Sequence, residues 1–185
     1  MSIAIVLAVV AVLLVLFAIV TYNGLVRLRL QTQNAWSDID VQLKRRHDLV
    51  PNLVETVKGY AAHESGTLAS VTAARTAAVA ARSAGPAERA AAEAQLTTAL
   101  QGLNVAVEAY PQLQASGGFR DLQQQLAQLE DAIQNARRYY NAVVREFNAK
   151  IMQFPSNVVA GSFGFQPREF FEAGAAERET PKVSF

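Results

Sequence analysis

The sequence predicts an all-α protein in which an N-terminal single transmembrane helix is followed by an antiparallel up-and-down bundle of three to four long helices. Two observations favour this class. Residues 3–20 form an uninterrupted apolar run. Residues 25–154 then repeat apolar side chains at helical spacing, and no stretch of any length alternates with period two.

The composition limits the kind of partner that the protein can have. The chain has 185 residues, 51% of them hydrophobic, with 17 basic and 16 acidic side chains. This is material for one domain near charge balance, so we expect no nucleic-acid partner. Because the chain has no cysteine, disulfides, thiolate metal sites and a cysteine nucleophile are excluded.

The apolar run predicts a membrane anchor over residues 1–21. Its helix would be about 27 Å long, enough to cross a bilayer. A cleaved signal peptide is the alternative, but no Lys or Arg precedes the run and no small-residue cleavage site closes it. Arg27 and Arg29 follow the run. We therefore expect a single-pass membrane protein with a short N-terminus outside and the bundle in the cytoplasm.

Three apolar stripes predict the helices of the bundle, which we place over residues 22–154. They cover residues 36–60, 96–110 and 119–154, with alternating spacings of three and four. An average near 3.5 is typical of helices that pack nearly parallel or antiparallel. Short connections, at Gly85-Pro86 and at Gly117-Gly118, indicate antiparallel neighbours.

The end of the first bundle helix has more than one interpretation. Ser65 and Gly66 weaken an otherwise alanine-rich helical stretch. Either the first helix continues past them, which gives three very long helices, or it breaks there or at Pro51, which gives four. The last bundle helix should stop before Pro155.

Residues 155–185 form a Phe/Gly-rich C-terminal segment and tail. We expect a short helix over residues 167–173 and an extended tail over residues 180–185. The segment should fold back on the bundle, or else meet a partner or lipid, because its aromatic side chains are rarely left in water. These are Phe163, Phe165, Phe170, Phe171 and Phe185.

No residue pattern predicts catalysis. His47 and His63 would point about 160° apart on one continuous helix, so they cannot share a metal through local spacing. The sequence has no Glu-x-x-His pair of the kind that di-iron bundles use. We expect no catalytic residue, metal, cofactor or small-molecule substrate. Four glutamates off the apolar stripes are interpreted as solvated charges: Glu55, Glu64, Glu108 and Glu130.

The stretch around Pro51 is the main candidate site. Arg46 lies on the first apolar stripe, so it should face inward and needs acceptors. Pro51 has no N–H for the His47 carbonyl, so the helix should kink or break there. The structural interpretation pairs Arg46 with carbonyl oxygens or with a carboxylate such as that of Asp40 or Asp48. The functional alternative is an anion or partner contact made by Arg45, Arg46 and His47.

A second polar cluster lies on the third stripe. Arg137 flanks Tyr140, and Asn141 and Asn148 lie seven residues apart along the edge. Edge amides commonly fix the register of neighbouring helices. We interpret this cluster first as core-edge specificity and second as an interaction surface. The candidate structural or interaction residues are thus Arg45, Arg46, His47, Pro51, Arg137, Tyr140 and Asn141.

The sequence resembles the LemA family in several blocks that occur in the same order. They include "WSDIDVQLKRRHDLVPNLVETVKGY", "RRYYNAVVREFNAKI", "FPSNVVAGSFGF" and the closing "PKVSF". The resemblance implies an N-terminal transmembrane helix and a four-helix up-and-down bundle. Most members have no established biochemical activity, a magnetosome-associated branch helps to form membrane compartments, and no catalytic residues are defined. Ser65-Gly66 departs from the charged helix formers usual in the family.

The function expected from the sequence is that of a membrane-anchored structural or interaction (scaffold) protein without catalytic activity, which self-associates. A continuous first helix would be longer than the helices of the same chain that pack against it. Other subunits would then cover the apolar side chains of its membrane-proximal half, which are Leu25, Leu28, Trp36 and Ile39. The alternative is a lipid-binding or membrane-remodelling protein. Expected partners are membrane lipid, further copies of the chain, and a membrane or cytoplasmic protein.

Overall fold

The computed structural model describes residues 2–61 and 63–172. Within these ranges the chain is almost entirely helical and contains no strand, which confirms the predicted all-α class. The helices are α1 (Ser2–Lys58), α2 (Ser65–Ala80), α3 (Pro86–Val107), α4 (Pro111–Ala115), α5 (Gly117–Met152) and α6 (Ser156–Ser162). A 3-10 turn, Ala81–Ser83, joins α2 to α3.

The chain divides into two compact units, which we describe separately. The bundle unit contains Asp38–Arg137 and the segment that begins at Glu169. The membrane-proximal unit contains the residues up to Ser37 together with Arg138–Arg168. Helices α1 and α5 contribute residues to both units.

The bundle unit is built from the C-terminal part of α1, from α2 and α3, and from the N-terminal part of α5. Short connections join these segments, as expected for an up-and-down arrangement of antiparallel helices. The core is formed by the predicted stripes and closes around buried side chains of all four segments, among them Leu53, Val71, Leu96, Leu103 and Phe119.

The structure decides where the first helix ends. Helix α1 continues through Pro51 and ends at Lys58, so a break at the proline is wrong. Between Lys58 and Ser65 the described residues form turns, and Ser65 begins α2. The helix therefore does not run on past Gly66. The structure therefore agrees with the alternative in which the first helix breaks next to Ser65 and the bundle has four long helical segments.

The apolar run forms the first part of α1 in the membrane-proximal unit. Its side chains are exposed within the chain except for half-buried Ala18, and the helix is long enough and apolar enough to cross a membrane. This agrees with the predicted single transmembrane helix.

The core of the membrane-proximal unit lies next to this run. It contains Leu25 and Leu28 of α1, Phe147 of α5, and Val159, Ala160 and Phe165 from α6 and the residues after it. Helix α6 occupies residues that were not predicted to be helical. The short helix predicted over residues 167–173 is wrong for residues 167–172, which are not helical.

The C-terminal segment folds back over the helices as far as the structure describes it. Phe165 and Phe171 are buried and Phe170 is half-buried, whereas Phe163 is exposed. Phe185 and the tail predicted over residues 180–185 lie outside the described residues.

The expected mismatch in helix length is not found. Leu25, Leu28 and Ile39 are buried within the chain. The Trp36 ring packs against Tyr140 at 5.3 Å between ring centroids. These side chains are therefore not an uncovered surface that needs another subunit.

Candidate functional site

Arg46 lies at the centre of a buried charge network in the bundle unit. Its Nη1 donates hydrogen bonds to a Glu130 carboxylate oxygen at 2.8 Å and to Thr97 Oγ1 at 3.0 Å. Its Nη2 donates to the Glu93 carboxylate, which is buried as Arg46 is. Since Arg46 is on α1, Glu93 on α3 and Glu130 on α5, one guanidinium links three helices.

The Glu93 carboxylate is engaged on both of its oxygens. Oε2 accepts from Arg46, and Oε1 lies 2.8 Å from His47 Nε2, which donates to it. Burial alone would raise the pKa of the Glu93 carboxyl. The hydrogen bond from His47 and the charge and hydrogen bond of Arg46 outweigh burial and lower that pKa below its ordinary value of 4.5. Glu93 is therefore held as an anion.

The carbonyl that Pro51 leaves without its helical donor has a donor from another helix. Arg75 Nε of α2 donates to the His47 carbonyl oxygen at 2.7 Å. A backbone oxygen that lost its partner next to buried side chains would otherwise destabilise the fold. This bond accounts for a helix that continues through Pro51.

Asp40 forms the second part of the network. Its carboxylate accepts from Arg89 at 2.6 Å and from Arg82 at 3.2 Å. The hydrogen bond from the buried Arg89 is the largest influence on the pKa of Asp40, and together with Arg82 it lowers that pKa against the effect of burial. Asp40 thus connects α1 with the start of α3.

Arg46 of the Pro51 stretch faces the bundle and pairs with carboxylates, but these belong to Glu93 and Glu130 and not to Asp40 or Asp48. Asp48 instead pairs with exposed Lys44 at 2.6 Å. The interpretation of Glu130 as a solvated charge is wrong, because its half-buried carboxylate binds Arg46.

The proposed anion or partner contact is not assembled as one cluster. Arg45 is exposed and lies outside the network, whereas Arg46 and His47 are both buried against Glu93. These three residues therefore do not face a common anion. Pro51 is exposed.

Five members of the network were missed in the sequence, among them Arg82 and Thr97, and a signal exists for the other three. Arg89 and Glu93 continue the stripe of Leu96 toward the N-terminus of α3, at spacings of four and three. Arg75 lies at the same spacing between Val71 and Ala78. Charged residues at stripe positions, like Arg46 itself, mark the buried partners.

Residues of the second polar cluster, around Arg137 and Tyr140, contact different parts of the chain. Arg137 Nε donates to the Phe171 carbonyl oxygen at 3.1 Å. Tyr140 is buried against Trp36, and Asn141 is half-buried. The Asn148 side chain binds the Arg168 backbone twice, donating to its carbonyl and accepting from its N–H, both at 2.8 Å. These groups hold the returning C-terminal segment.

A cavity of about 260 Å³ lies between α3 and α5 next to this network. Its charged lining residues are Arg46, Glu93, Glu130 and Arg137. Each of them already makes a hydrogen bond within the chain. Among the residues that the structure describes, no group of three or more His, Asp or Glu side chains could hold a metal ion. The arrangement is suited to fixing helices.

Acid should weaken the bundle through Glu93 and Asp40. Both have a lowered pKa in the folded chain, so their contribution is present above the unfolded values of 4.5 and 3.8 and is lost as the pH falls through the folded values. We expect the urea midpoint of the full chain in detergent to fall below about pH 4.5. Asp40→Asn should make that fall shallower, and an identical pH profile for this variant would contradict the assignment.

The fold and the site define a class: helical-bundle proteins with a neutralised internal charge network and an N-terminal helix able to span a membrane. The chain belongs to the LemA family, whose model matches residues 35–185. It is 30% identical over 157 residues to Protein LemA of Metamycoplasma hominis, with 84% of this chain and 71% of that protein covered.

Magnetosome proteins are also among the relatives. Magnetosome protein MamQ 2 of Paramagnetospirillum magneticum is 28% identical over 187 residues, covering 88% of this chain and 68% of the relative. Magnetosome protein MamQ of Magnetospirillum gryphiswaldense is 26% identical over 189 residues, covering 88% and 70%. Family and anchor together indicate a membrane-associated protein.

Proposed function

We propose that this LemA-family chain is a membrane-anchored scaffold, a structural or interaction protein without catalytic activity that self-associates in the bacterial cell membrane. The observation that carries the proposal is the internal neutralisation of the network. Arg46 and His47 are buried against the ionised Glu93, and Arg46 also binds Glu130. These charges stabilise the packing of helices, which is the property that a scaffold requires.

The proposed orientation places the bundle in the cytoplasm. Arg27 and Arg29 follow the apolar run and are exposed. Basic residues close to a span are retained on the cytoplasmic side.

Self-association is supported by one face of the transmembrane part of α1. Ala4, Ala8 and Ala11 are exposed and lie within about 60° of one another on a helix. Small side chains allow two helices to approach closely in lipid. Val6 and Leu13 lie on the opposite face, about 180° away.

The test is the mass of the full chain extracted from membranes in detergent or polymer particles. We expect more than one 20.0 kDa copy in each particle. Ala8→Ile with Ala11→Ile should reduce the fraction of oligomer, because added bulk separates the helices. The matched control, Val6→Ile with Leu13→Ile, should leave it unchanged. A wild-type chain that is monomeric throughout would contradict self-association.

A further inference from the structure

The connection between α5 and α6 presents an exposed apolar surface, which we call the foot (residues 152–163). Its exposed members are Met152 at 68%, Phe154 at 81%, Val158 at 61% and Phe163 at 61% of their full accessibility. They lie close together in the chain, from the last residue of α5, through the turn before α6, to the residue that follows α6. Clustered exposed apolar side chains of this kind mark a surface that meets a partner or lipid.

Contacts within the membrane-proximal unit place the foot beside the end of the apolar run. The Phe163 ring packs against Tyr22 at 4.7 Å between centroids. Ala18 and Tyr22 both pack against the core that contains Val159 and Ala160 of α6. On a helix that rises about 1.5 Å per residue, Ala18 lies about 3 Å before the end of the run at Val20, and Tyr22 lies about 3 Å beyond it.

The foot is held in this position by specific contacts. Phe165 packs against Tyr22 at 5.8 Å and against Phe147 at 6.4 Å between ring centroids. The Ser156 hydroxyl lies 2.7 Å from the Lys150 carbonyl oxygen and 2.8 Å from that of Gln153. The inner face of α6 is thus fixed against α1 and α5, and Val158 points away from the core.

We propose that the foot inserts into the boundary between headgroups and acyl chains of the same membrane that α1 crosses. The inference rests on the proposed anchorage by α1. Lipid is the occupant because Phe163 of the foot packs against Tyr22, two residues beyond the apolar run, and the last residues of that run, Ile19 and Val20, are exposed. Apolar side chains of an interfacial segment reach about 5–10 Å into this boundary.

The polar groups near the foot agree with this position. Arg27 and Arg29 are exposed within three turns of the end of the run, and Lys150 is exposed close to Met152. The Arg29 guanidinium also lies 5.3 Å from the centroid of the buried Phe165 ring. Cationic side chains at this depth meet the phosphates of anionic lipids.

The test uses single cysteines, since the chain has none of its own. Val158→Cys in the full chain is labelled with an environment-sensitive fluorophore. The protein is then reconstituted in phosphatidylcholine–phosphatidylglycerol vesicles that contain a spin-labelled lipid. Val105→Cys is the matched exposed control on α3 at 67% accessibility, and Val12→Cys reports the span at 58%. Circular dichroism confirms that each variant is folded.

We expect the label at position 158 to lose emission when the spin label lies near the lipid carbonyls, and the label at position 105 to be unaffected. Position 12 should be quenched by spin labels deep in the acyl chains. If position 158 behaves like position 105 while position 12 is quenched, the foot is outside the membrane and the inference fails, although the anchor stands. If position 12 is not quenched either, the anchorage itself fails.

A second copy of the chain is the competing occupant. In that case emission at position 158 would fall as the fraction of labelled protein rises, and it would not respond to spin-labelled lipid. That result would also overturn the inference.

Discussion

Replacement of Glu93 by alanine is expected to destabilise the bundle by about 3–5 kcal/mol, because it leaves Arg46 and His47 buried without their common carboxylate. Glu130 can still bind Arg46, but its carboxylate is half-buried and accepts from Nη1, whereas Glu93 accepts from Nη2. The measurement is urea unfolding of the full chain in detergent at neutral pH, followed by far-ultraviolet circular dichroism.

Two further variants make this result specific. Glu93→Gln keeps the volume of the side chain but removes its charge, and it should also lower the urea midpoint strongly. Asp48→Asn removes a carboxylate on α1 beside His47, but Asp48 and its partner Lys44 are both well exposed, so the midpoint should barely change. Equal effects of Glu93→Gln and Asp48→Asn would show that the buried network has no special role.

Replacement of Phe165 by alanine is expected to release α6 from the membrane-proximal unit. Removal of a buried phenylalanine costs about 3–5 kcal/mol. Because each 1.4 kcal/mol is a factor of ten, amide hydrogen exchange in α6 should become roughly 10²- to 10³-fold faster where exchange depends on this local opening. Mass spectrometry of peptides that cover Ser156–Ser162 measures the change.

Phe163 provides the matched control for this variant. It lies two residues before Phe165 and is exposed, so Phe163→Ala in detergent should change exchange in α6 only slightly. If both variants accelerate exchange equally, the buried ring of Phe165 is not what holds the helix.

The sequence was sufficient to predict the helices that have a strong period. The stripes predicted the bundle segments of α1, α3 and α5, and the glycines and prolines marked most of the breaks. Arg46 was placed inside the bundle by its position between Leu43 and Val50. Local spacing is enough for such conclusions because the side chains of one helical face share an environment.

Partners that are distant in the chain could not be predicted in this way. Arg46 is 47 residues from Glu93 and 84 from Glu130, so local spacing says nothing of their distance in space. Helix α6 has seven residues, too few to show a period, and its contacts with α1 are also distant in the chain. The helix expected over residues 167–173 is absent over residues 167–172 because the Phe171 and Arg168 backbone groups bind side chains of α5 instead.

The hydrogen bond from Arg75 to the His47 carbonyl makes the continuity of α1 a tertiary property. A helix that contains Pro51 lacks one backbone hydrogen bond, because proline has no N–H to donate. Here the Arg75 side chain of α2 donates in its place. Whether α2 is docked therefore decides whether the His47 carbonyl oxygen has a hydrogen-bond donor. Any partner that displaced α2 would leave α1 without this hydrogen bond at one defined turn, between His47 and Pro51.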